Sequence, residues 1–129
     1  MSAGNVVALK QVECVFQDAE PIVSLYRDLG AESAERVVMR ALGELSIELS
    51  FMTGRIEARE TEGVPRQLRR LQRMSENLGL TSLSVVAGNA RECLASGDTT
   101  AFAAVWDRLI RVAESSLATE ACLLDETLL

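Results

Sequence analysis

Six apolar residues, Val38, Leu42, Leu45, Leu49, Met52 and Ile56, recur at alternating spacings of four and three. An α-helix turns 100° per residue, so this rhythm stacks all six along one face. The stripe predicts one helix from Ala34 to Arg59, about 26 residues and roughly 39 Å long at 1.5 Å per residue. A helix of that length with a single apolar face must bury it against other layers of structure. The rest of the chain points to helices as those layers. Aromatics are only 4% of residues, while Ala, Leu, Glu and Arg are abundant, a balance that favours helix over sheet.

Further helices follow from punctuation and period. Pro21 suits the first turn of a helix that ends near Leu29, with Gly30 as its stop. The stretch Thr61-Glu62-Gly63-Val64-Pro65 breaks the long helix. A third helix then runs to Leu78, with Val64, Leu68, Leu71 and Leu78 inward and Gly79 ending it. Thr81 is placed as the cap of the next helix, which carries Leu83, Val86, Ala87, Ala90 and Leu94. Ser96-Gly97-Asp98 makes a turn, with Asp98 as N-cap of a last helix carrying Phe102, Val105, Trp106, Leu109, Val112, Ala113 and Leu117 and reaching about Leu124. Residues 6–16 read two ways. Val6, Leu9, Val12 or Glu13, and Phe16 fit a helix, while Val12, Cys14 and Phe16 alternate as a strand would; a short amphipathic helix is the favoured reading. Four helices joined by short loops predict an all-α antiparallel four-helix bundle with an extra short N-terminal helical segment. The whole chain, 1–129, reads as a single domain: an N-terminal extension over 1–20, the bundle over 21–124 and a tail over 125–129.

Several classes of function are disfavoured at this point. The chain has no histidine, which excludes hydrolases that activate a serine or cysteine through one. Without histidine, the dispersed Cys14, Cys93 and Cys122 do not make a zinc site, so no metal is expected; nor is a cofactor, there being no Gly-rich phosphate loop. Three cysteines with no CxxC spacing read as reduced thiols of a cytoplasmic protein. Cys93 and Trp106 sit on inward faces and read as core, Tyr26 has no base to activate it, and Glu44 with Glu48 reads as surface. The N-terminus MSAGNVVALKQVE lacks the basic-then-apolar form of a secretory signal, and no run of about 18 apolar residues exists to span a membrane. A net charge of −6 argues against nucleic acid as a partner.

That charge is unevenly divided. Residues 55–73 hold six arginines against three glutamates, a net of +3, which leaves −9 for the rest of a chain whose total is −6. On the third helix, Arg66, Arg69, Arg70, Arg73 and Asn77 fall within about a 100° arc, opposite Val64, Leu68, Leu71, Ser75 and Leu78. Arg55 and Arg59 are placed to extend this ridge. A basic ridge on an acidic molecule has a directional field that steers acidic partners. The plainer alternative is a solvated face whose charges pair along the helix; anion or nucleic-acid binding is a third reading, disfavoured because the acidic remainder of the chain would repel phosphates.

The same helix carries a family resemblance. The run Arg69-Arg70-Leu71-Gln72-Arg73-Met74-Ser75-Glu76-Asn77-Leu78-Gly79 resembles the signature of the histidine-containing phosphotransfer (HPt) domain. That signature runs His, any residue, Leu, Lys, Gly, two small residues, two variable positions, Leu, Gly. Leu71, Ser75, Leu78 and Gly79 keep its skeleton. Arg69 stands at the phosphorylated histidine, Gln72 at the lysine and Arg73 at the glycine. The Leu-Gly break, the following amphipathic helix and the Gly-Asp before the last helix extend the likeness over roughly Pro21 to Leu124.

The resemblance implies an HPt-type bundle that has lost its reactive group. It implies a non-catalytic phosphorelay module, not an enzyme, that binds a response-regulator receiver domain or a histidine kinase. Arg66, Arg69, Arg70, Gln72, Arg73 and Asn77 would form the contact face. The rival expectation is an oligomeric or scaffold bundle, a homodimer among its forms, using the N-terminal segment and the apolar positions Val37, Ile47 and Phe51. An enzyme of another kind would need a pocket that the sequence does not display.

Overall fold

The computed structural model describes the backbone of residues 15–128 and the side chains of residues 15–118. Five helices follow in order: α1 (Glu20–Leu29), α2 (Ala31–Glu57), α3 (Val64–Asn77), α4 (Thr81–Ser96) and α5 (Thr99–Leu128). No strand occurs among the described residues. The expected helix over 6–16 lies outside the described residues except at Val15 and Phe16, which are not helical.

The long stripe forms the helix that its period demands. Val38, Leu42, Leu45, Leu49 and Met52 are buried on α2, and Ile56 is half-buried at its end. They meet Val64, Leu68 and Leu71 of α3, Leu83, Val86, Ala87 and Ala90 of α4, and Phe102, Trp106, Leu109, Val112 and Ala113 of α5 in one core. The rings of Phe102 and Trp106 stack with centroids 6.2 Å apart. The α3–α4 and α4–α5 pairs pack most extensively. α1 has no fully buried residue and leans on the core through Ile22 and Leu25.

Three helix ends share one device. After α3, Gly79 takes a left-handed φ of +73°, its N–H donates to Glu76 O, and Leu80 N donates to Ser75 O at 2.8 Å. After α4, Gly97 (φ +76°) donates to Leu94 O and Asp98 to Cys93 O. After α2, the same pair of bonds runs from Arg59 to Ile56 O and from Glu60 to Arg55 O, with Arg59 at φ +61°. These are Schellman closures, which satisfy carbonyls that a helix end leaves without partners. The first two were expected at their glycines. The third was not, because a non-glycine residue rarely takes that conformation.

The boundaries differ from expectation in physically clear ways. α2 begins at Ala31, directly after Gly30, and ends at Glu57, because Arg59 leaves the helical conformation. Thr81 is not a cap: it is the first residue of α4, and its hydroxyl reaches only back to Gly79 O at 3.5 Å. Asp98 is a cap, its Oδ1 accepting from Ala101 N at 2.9 Å. The helical backbone of α5 continues to Leu128, beyond the expected end near Leu124.

Residues 15–18 form a strap across the far end of the bundle. Phe16 N donates to Ser82 Oγ at 2.7 Å, and Ser82 N donates to Phe16 O. Asp18 N donates to Gly79 O at 2.8 Å, and the Gln17 amide reaches Ser116 O at 3.4 Å. A Cβ at Gly79 would collide with the Asp18 carbonyl, so glycine serves both the turn and the strap.

Candidate functional site: an arginine face on α3

The arginine ridge forms because α3 is regular and its apolar arc is fully used. Val64, Leu68, Leu71 and Ser75 are buried without exception, which turns the opposite arc outward. Ser75 sits wholly inside, its hydroxyl donating to Leu71 O at 2.7 Å. Arg66, Arg69, Arg70, Arg73 and Asn77 are all exposed. Gln72 departs from this face. It is half-buried, and its amide lies where a Cβ on Gly88 of α4 would come within 3.1 Å. Gln72 thus lies over α4 at the edge of the face rather than on it.

The ridge is not neutralised by its own helix. Among the described residues, ion pairs join Glu32 to Arg36 and Arg40 to Glu44, both on α2. Arg55, Arg66, Arg69, Arg70 and Arg73 have no carboxylate within 4.0 Å among the described residues. The intrahelical pairing that a merely solvated face would favour is therefore absent here. Glu44 is a surface residue, as expected, and partners Arg40, whereas Glu48, expected beside it at the surface, is half-buried.

The face widens beyond α3 at its N-terminal end. Arg55, from the last turn of α2, lies with its guanidinium over Gly63; a Cβ there would be 2.8 Å from Arg55 Nη1. Arg55, Glu62, Gly63, Pro65, Arg66 and Arg69 line an open hollow of about 580 Å³. A second hollow of about 300 Å³ shares Pro65 and Arg69 and is walled by Arg91, Glu92, Leu94 and Ala95 of α4. Arg69 stands between the two. Arg91 was missed in the sequence. Its signal was the tight turn at 78–80, which folds the end of α4 back beside the start of α3.

No group of three or more Cys, Asp or Glu residues is placed to hold a metal among the described residues. No helix there is long and apolar enough to cross a membrane. Trp106 and Cys93 pack on or against the core and offer no ligand platform. Compared with known protein families, curated proteins and solved structures, the chain matches none.

Proposed function

We propose that this protein is a non-catalytic, HPt-type signalling module that docks a response-regulator receiver domain through the α3 arginine face. One observation carries the reading: four exposed arginines with no ion pair among the described residues occupy the helix face where the HPt signature places its histidine. An arginine guanidinium stays protonated and offers five donors in a rigid fork, which suits carboxylates on a partner rather than phosphoryl transfer. Arg66, Arg69, Arg70 and Arg73 supply the charge, Asn77 extends the contact, and Gln72 borders it against α4. The partner is masked by binding, not phosphorylated.

Calorimetric titration of candidate receivers tests the proposal. Arg69→Glu with Arg73→Glu reverses two charges and leaves the buried arc intact, and glutamate keeps the helix. Affinity should fall at least tenfold, and wild-type binding should weaken with added salt, since exposed charges are screened over about 8–10 Å near physiological ionic strength. Equal binding by the double variant, without salt dependence, would overturn the docking reading.

A second reading has its own observation. Val37, Met39, Ile47 and Phe51 on α2 are exposed, Phe51 at 61%. Such side chains favour self-association of the scaffold kind. Sedimentation of wild type against Phe51→Glu separates the two: a dimer lost in the variant supports the scaffold, and a monomer in both removes it.

A further inference from the structure

We propose that the hollow at the start of α3 is a binding site for a dianionic tetrahedral oxyanion of the phosphate class. Three guanidinium-bearing side chains converge on it from two helices: Arg55 from α2, and Arg66 and Arg69 from α3. None has a carboxylate within 4.0 Å among the described residues, although Glu62 lines the same hollow. Three positive charges and one negative leave the hollow with a net of +2, the complement of a dianion. A carboxylate presents two oxygens in one plane and a single charge. Three guanidinium forks around an open cavity offer more donors, in more directions, than a carboxylate can accept. A phosphate oxyanion has the oxygens and the charge to engage them all.

Arg55 makes this a site rather than a run of surface charge. Its guanidinium is laid across Gly63, in the connection between α2 and α3, where a Cβ would come within 2.8 Å of Nη1 and push this flexible end aside. Gly63 itself has an ordinary φ of −88°, so its lack of a side chain matters here for space rather than backbone strain. Arg91 stands beyond Arg69 in the adjoining hollow, which Glu92 also lines, and neither lines the site. The inference goes beyond receiver docking: it depends on Arg55 and Gly63, which are not among the proposed receiver contacts on α3, and it does not use Arg73.

Amide chemical shifts recorded against inorganic phosphate, with chloride holding ionic strength constant, test it. Saturable shifts should centre on Arg55, Gly63, Arg66 and Arg69. Arg55→Gln and Arg69→Gln should each weaken binding by about tenfold, the usual effect of losing a charge-assisted contact. Glu62→Gln should strengthen it, and Arg73→Gln should weaken it far less than Arg69→Gln does. All four substituted side chains are exposed, so the fold is retained, which circular dichroism verifies. Gly63→Ala should weaken binding by displacing Arg55 with every arginine still present. A serine peptide and its phosphoserine form identify the source of the oxyanion. Tighter binding of the phosphopeptide than of phosphate assigns a phosphorylated side chain, equal binding assigns free phosphate, and both support the site. Shifts reproduced by chloride, indifference to Arg55→Gln and Gly63→Ala, or equal binding of the unphosphorylated peptide would overturn it. Receiver docking can fail while phosphate still binds, and the reverse, so the two proposals fall separately.

Discussion

Arg69 illustrates how one side chain both closes and opens chemical possibilities. A guanidinium cannot become the neutral nucleophile that accepts a phosphoryl group, and the chain has no histidine elsewhere to do so. Incubation with a phosphorylated receiver should therefore leave no acid-labile label on this protein; a stable label above background, mapped to any residue, would contradict that. Arg69→His alone should rescue little transfer. Gln72 stands where the signature has lysine, with its amide over Gly88, and Arg73 adds a bulky charge where the signature has glycine. The exposure of Arg66, Arg69, Arg70, Arg73 and Asn77 was legible from residue spacing alone, since a regular helix with one buried arc has only one way to face. The placement of Gln72 over α4 was not, because it depends on a glycine on another helix.

Helices and their ends tell a parallel story. Gly79 and Gly97 announce their turns, because glycine takes a left-handed φ at little steric cost. Arg59 closes α2 by the same two hydrogen bonds without that advantage. Arg59→Gly should therefore stabilise the protein by roughly 0.5–1 kcal/mol, as relief of the left-handed strain outweighs the added freedom of the unfolded chain. Urea unfolding should show a higher midpoint at unchanged slope. A lower midpoint would mean that the arginine side chain contributes more than its backbone conformation costs. The end of α2 came out two residues shorter than expected for this reason: hydrophobic period locates a helix well, but its last turn is set by backbone conformations that period does not encode.

Across the whole molecule, the core was readable and the strap was not. The apolar stripes of α2, α3, α4 and α5 each point inward where the period places them. The strap is held chiefly by backbone groups and by Ser82, with partners 66 and 99 residues apart in the chain, and such bonds leave no pattern in side-chain order. Two glycines measure its worth. Gly97→Ala meets open space and should cost only about 1–2 kcal/mol for its positive φ. Gly79→Ala carries the same backbone cost, meets the Asp18 carbonyl and disturbs the Asp18–Gly79 hydrogen bond, so it should cost about 1–3 kcal/mol more. Equal unfolding midpoints for the two variants would show that the strap adds nothing to stability. The strap also fixes an order of events during synthesis. Residues 15–18 leave the ribosome before every helix described here, yet their resting place does not exist until Ser82 and Ser116 have been made and α4 and α5 have come together. The earliest described part of the chain to be translated can thus close its hydrogen bonds only after residues far downstream have been made.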